Sequence, residues 1–106
     1  MIFIESKVFE KLRAKYFDDE EYRALQNFLL ERPLRGAVIP GTGGLRKLRW
    51  SSGGKGKRGG LRTIYLYLAG KDHLHLLTVY AKNETSDLSP DEKKILKRIV
   101  EELKHG

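Results

Sequence analysis

The eight residues LRTIYLYL (61–68) restrict the fold of this chain more than any other stretch. Strand alternation places Arg62, Ile64, Leu66 and Leu68 on one face and Thr63, Tyr65 and Tyr67 on the other. Both faces are largely apolar, so the segment reads as a central strand covered on both sides. An arginine on such a strand is held more rigidly than one on a loop.

The flanking segments supply neighbours and cover. IFIE (2–5) alternates as a short strand. Val8, Phe9, Leu12 and Tyr16 fall on one helical stripe behind the cap Ser6. In DDEEYRALQNFLLER (18–32), Asp18 and Glu21 have capping-box spacing, Tyr22, Leu25, Phe28 and Leu29 form the apolar stripe, and Pro33 ends the helix. The short join between these helices predicts an antiparallel hairpin. GLRKLRW (44–50) alternates Leu45, Lys47 and Arg49 with Arg46, Leu48 and Trp50, and HLHLLTVY (73–80) follows the turn AGKD, so with 61–68 they predict a meander. In SPDEKKILKRIVEEL (89–103), Ser89 is the cap, Pro90 takes the first helical position and Glu92 closes the box. The order is β-α-α-β-β-β-α. This is an α+β fold in one domain over 1–106: a helical hairpin on a small, mainly antiparallel sheet, with a C-terminal helix.

Charge points to the partner. The net charge is +7, and its distribution says more than its size. Residues 32–71 carry ten cations and no acid, whereas the other 66 residues carry 11 cations against 14 acids. Solvated surfaces usually intersperse acids with lysines, so an acid-free block favours a polyanion-binding face. No apolar run approaches the roughly 18 residues of a membrane span, and MIFIESKVFEKL lacks the marks of a signal peptide, which predicts a soluble cytoplasmic protein without a membrane partner.

The most polar part of that block, SSGGKGKRGG (51–60), admits three readings: a linker, a phosphate loop or a hairpin tip. Gly54, Gly56 and Gly59 form G-x-G-x-x-G, but a dinucleotide fold needs a strand before the motif and a helix after it. Here a strand follows. A Walker loop fails because Gly56, not Ser or Thr, follows Lys55. What remains is a glycine-rich hairpin connection, either a solvated tip or a loop that brings Lys55, Lys57 and Arg58 close to RNA phosphates.

Other chemistries find little support. The chain has no cysteine, which removes disulfides and thiolate metal sites. His73 and His75 face the same side of one strand without an evident third ligand, so no metal or other cofactor is expected. Asp18, Glu21 and Glu92 are explained by capping, which leaves Glu84, just after the last strand, as the acid to watch.

Three stretches in this order, GTGGLRKLRW, GKGKRGGLRTIYLYL and LLTVYAKNETSDLS before a final helix, resemble the RelE/ParE superfamily of type II toxin–antitoxin toxins, closest to its HigB-type branch. The resemblance spans nearly the whole chain. It implies a small basic endoribonuclease that enters the ribosomal A site, cuts translated mRNA and stops translation. It also implies a metal-independent attack by a ribose 2′-hydroxyl that leaves a cyclic phosphate. A cognate antitoxin would neutralise the toxin in a complex that binds DNA as a repressor.

By that resemblance, Arg62 is the first choice for stabilising the phosphate. Lys47 and Arg49 look like the basic pair before the hairpin, Lys57 is an additional carrier, and Lys82 matches the base that ends the last strand. Arg46, Lys55, Arg58, Tyr65, Tyr80 and Asn83 are candidates to contact RNA or the ribosome. The family pattern has an arginine after that last lysine and a tyrosine near the final helix. Asn83 and Leu88 or Ser89 stand there instead, so the family's acid–base pair does not carry over whole. A lysine with an ordinary pKa near 10.4 is a poor base at neutral pH, which leaves Glu84 or Tyr80 for proton transfer. Two other functions stay open: a non-catalytic RNA- or ribosome-binding module, and a ParE-like gyrase inhibitor.

Overall fold

The structure is a computed structural model and describes residues 1–51, 60–85 and 87–105. Its elements are β1 (Ile2–Glu5), α1 (Lys7–Tyr16), α2 (Asp19–Glu31), β2 (Ala37–Val38), β3 (Arg46–Trp50), β4 (Leu61–Leu68), β5 (His73–Ala81) and α3 (Pro90–His105). The five strands form one sheet in the order β1-β5-β4-β3-β2. β1 runs parallel to β5 and all other pairs are antiparallel. The expected strands and helices are all present. The two-residue β2 is additional, and its AV sequence is too short to show a period.

Each helix begins where its sequence allows. The Ser6 hydroxyl accepts from Phe9 N–H (2.9 Å) and donates to the Leu77 carbonyl (2.7 Å), so one side chain caps α1 and ties it to β5. Asp18 and Glu21 close a capping box at α2, and Ser89 and Glu92 do so at α3. Each such cap contributes about 1 kcal/mol.

The central strand is covered on both faces. Leu61 and Tyr65 of β4 pack with Phe9, Tyr16, Phe17, Tyr22, Leu25 and Leu29 of the α1–α2 hairpin region. Ile64 and Leu66 pack on the other face with Leu45, Leu77, Leu88 and Val100. Phe9 is fully buried, and a Phe→Ala change at such a site costs about 3–5 kcal/mol. Only Val100 of α3 is buried, so that helix covers its face lightly.

Two constraints fix the ends of β3 and β4. Gly60 has φ +71°, and a Cβ there would meet the Trp50 carbonyl oxygen at 2.8 Å, so a glycine is required where β4 begins. An irregularity in the β4–β5 pairing between Ile64 and Tyr65 realigns the two strands. On one side of it Arg62 faces Tyr80, and on the other Leu66 faces His75.

Candidate active site

Strand register builds the site. Arg49 pairs with Arg62, and Arg62 pairs with Tyr80, so the three side chains form a row across β3, β4 and β5. The next row is Lys47, Ile64 and Thr78. Both rows lie on the face that α3 covers, because Ile64 and Tyr80 belong to that core cluster. Directly opposed residues have Cβ atoms about 4.5–5.5 Å apart, and like charges so placed repel. A pair of facing arginines is thus a local cost to the fold, which is common where function requires it.

Burial grades along the row. Arg62 is 6% exposed and Tyr80 8%, whereas Arg49 is exposed. A phosphate would therefore approach from the Arg49 side and meet Arg62 at the inner end. Arg62 donates to the Leu61 carbonyl at 3.3 Å, and this is among several contacts that hold it.

Asp87 brings a carboxylate to the second row. Its Oδ1 lies 3.5 Å from Lys47 Nζ and accepts the Leu88 N–H at 2.8 Å. That backbone hydrogen bond, with Lys47 and Lys93 nearby, holds the carboxyl below its ordinary pKa. The Tyr80 hydroxyl is buried and has no hydrogen-bond partner of ordinary geometry among the described residues. Burial first, and then the charge of Asp87, raise its pKa against the lowering effect of Arg62. Tyr80 is thus a neutral phenol at physiological pH, with a proton to donate.

Other expected site residues lie outside these two rows. Arg46 pairs with Tyr65 on the opposite face, where its guanidinium donates to the carbonyls of Leu34 (3.1 Å) and Gly36 (2.9 Å). Tyr65 is fully buried, and its hydroxyl donates to the Pro33 carbonyl (2.8 Å) and accepts from Gly36 N–H (2.9 Å). Both residues secure the chain between α2 and β2, on the face opposite the row. The alternation of β3 already placed Arg46 with Leu48 and Trp50, away from Lys47 and Arg49.

Glu84 accepts from the Tyr16 hydroxyl at 2.9 Å and lies 3.4 Å from Lys15 Nζ, so it joins α1 to the turn after β5. Lys82 and Asn83 are exposed on that turn, and Lys82 N–H reaches the Gly60 carbonyl at 3.2 Å. Lys55, Lys57 and Arg58, with most of the glycine-rich stretch, lie outside the described residues. Asp87 escaped the sequence reading because in TSDLSP it looks like a residue leading into a helix cap.

His73 and His75 stack edge to face with ring centres 6.2 Å apart. Among the described residues no three side chains of metal-ligating type converge, and no helix is long and apolar enough to cross a membrane.

A family model described as the RelE toxin of the RelE/RelB toxin–antitoxin system matches residues 7–105. The chain belongs to the RelE toxin family. Its fold is also similar to two solved structures. One is E. coli toxin RelE in the free state, as a double arginine-to-alanine mutant, at 16% identity and TM-score 0.57, covering 80% of this chain and 86% of that one. The other is the intact E. coli RelBE toxin–antitoxin complex, at 17% identity and TM-score 0.58, covering 76% and 94%. At such identities the likeness is one of fold. The fold is thus shared with these two RelE structures, and the chemistry must be read from the side chains of this RelE-family chain.

Proposed function

We propose that this toxin-family protein is an endoribonuclease that cuts mRNA in the ribosomal A site and is neutralised by an antitoxin encoded with it. The observation that carries the reading is the cross-strand row Arg49–Arg62–Tyr80, flanked by the Lys47–Asp87 pair. It combines a phosphate clamp with a proton donor in one half-buried place.

In this mechanism the ribose 2′-hydroxyl gives its proton to solvent as its oxygen bonds to the adjacent phosphorus and the bond to the 5′-oxygen breaks; solvent later returns a proton to the donor. No water is consumed, and the product is a 2′,3′-cyclic phosphate. Negative charge develops on the non-bridging oxygens. Arg62 and Arg49 meet it with planar donors already in place, which is the largest kind of catalytic term available to such a site. Lys47 adds charge from the neighbouring row. Tyr80 donates its proton to the departing 5′-oxygen.

Asp87 holds Lys47 and the start of α3 in place. Lys82 and Asn83, on the exposed turn, contact RNA or the ribosome, and Glu84 positions that turn through Tyr16. Lys55, Lys57 and Arg58 belong to the same acid-free stretch of sequence and are further candidates to contact RNA. Family membership and the likeness of fold to the RelBE complex support the antitoxin partner.

The test is primer-extension mapping of a defined mRNA, with and without programmed ribosomes. Cuts that need ribosomes support the proposal. Cuts on free RNA make the protein an independent ribonuclease. Intact RNA in both arms, from folded protein, favours a binding module or a gyrase-directed toxin.

A further inference from the structure

A second binding feature lies beside the row. β2 pairs only with Arg46 and Lys47, so among the described residues no strand flanks Leu48–Trp50 on the side away from β4. At this open edge is a cleft of about 340 Å³, lined by Phe28, Arg35, Ala37, Lys47, Leu48 and Arg49. Its size is at the lower end of the roughly 300–1,000 Å³ typical of ligand pockets.

The lining combines both faces of the sheet. Phe28 and Leu48 belong to the helical-hairpin side, whereas Lys47 and Arg49 lie in the rows of the candidate active site. The cleft therefore leads around the sheet edge from Arg49 to Phe28. It holds three cations and no acid. Two acids pair with cations at or beside it: Asp87 with Lys47, and Glu31, 3.8 Å from Arg32. Phe28 is half-buried and fixed by an edge-on contact with Trp50, with ring centres 5.5 Å apart. The Arg32 guanidinium lies 5.6 Å from the Phe28 ring centre.

A fixed aromatic ring with guanidinium groups around it is the chemistry that holds an unstacked base and its phosphate. We propose that this cleft is a nucleotide subsite. It takes one base of single-stranded RNA next to the phosphate at Arg49 and Arg62, with the base against Phe28 and the following phosphate on Arg35. The inference rests on the reading of the basic rows as an RNA site. Three unflanked residues offer too short an edge for a peptide to add as a strand.

The test uses the full chain and a 2′-O-methylated RNA heptamer, which cannot be cleaved, in fluorescence anisotropy at low salt. An abasic residue is moved through the heptamer one position at a time. One position should lose about tenfold in affinity, and Phe28→Leu should abolish that minimum. Arg35→Ala should reduce the slope of log affinity against log salt by about 0.7. A flat abasic scan, an unchanged minimum in Phe28→Leu, or no binding at low salt overturns the subsite. If Phe28→Leu does not fold, Arg35→Ala decides, and an unchanged salt slope overturns it. Ribosome-dependent cleavage is measured on the same wild-type preparation. Cleavage with a flat scan removes the subsite and leaves the nuclease, whereas a clear minimum without cleavage does the reverse.

Discussion

In the proposed site, Tyr80 and Arg62 are the residues where stability and chemistry would oppose each other. A buried hydroxyl without a well-formed hydrogen bond costs the fold up to about 1–3 kcal/mol, and the Tyr80 hydroxyl has no partner of ordinary geometry among the described residues, only a weak contact with Asp87. Tyr80→Phe should therefore leave the melting temperature unchanged or raise it, while cleavage on programmed ribosomes falls by roughly 100-fold. A variant that keeps full cleavage would remove Tyr80 from proton transfer. Arg62→Ala should retain the circular dichroism spectrum and lose at least about 100-fold in cleavage, the scale of one preorganised donor to a developing anion. A folded Arg62→Ala protein that still arrests growth would exclude Arg62 from the site. Tyr65 gives the contrast. Tyr65→Phe removes a hydroxyl with two partners and strands the Gly36 N–H, so urea denaturation should show a loss of about 1–3 kcal/mol. Its effect on cleavage should follow stability alone.

At the scale of elements, β5 carries a pH dependence. His75 is 8% exposed, and burial first, with His73 and Lys71 adding repulsion, lowers its pKa below the ordinary 6.5. Between the folded and unfolded values the unfolded chain binds more protons, so stability rises with pH there and is lost as pH falls. The melting temperature should drop as pH is lowered from about 7 toward 5, and His75→Gln should flatten that part of the profile. A wild-type profile flat over this range would contradict the burial of a neutral imidazole. The rest of the sheet shows how far sequence periodicity reaches. Alternation correctly assigned the faces of β3 and β4, since Leu48 and Ile64 fall in opposite cores. β2 was not legible, because its two residues pair through Ala37–Lys47 and Val38–Arg46 without any pattern of their own.

At the scale of the whole molecule, the acid-free block 32–71 dominates the charge. If about five cations of the 32–71 block each neutralise one phosphate, log affinity for single-stranded RNA should fall with log salt at a slope near −3.5. A flat response in a salt titration would contradict the electrostatic footprint. The sequence by itself determined much of this. Capping boxes, apolar stripes and alternation are local signals, so the helix starts, the order of the longer elements and the double-sided burial of β4 could be read directly. So could the acid-free block, since charge distribution needs no fold. Tertiary structure alone decided which charges meet. Pairing register set Arg49 opposite Arg62 and Arg62 opposite Tyr80, although these residues are distant in sequence. The loop before α3 then brought Asp87 to Lys47 across 40 residues of chain. Register and loop closure depend on the packing of the entire sheet, and no local pattern encodes them.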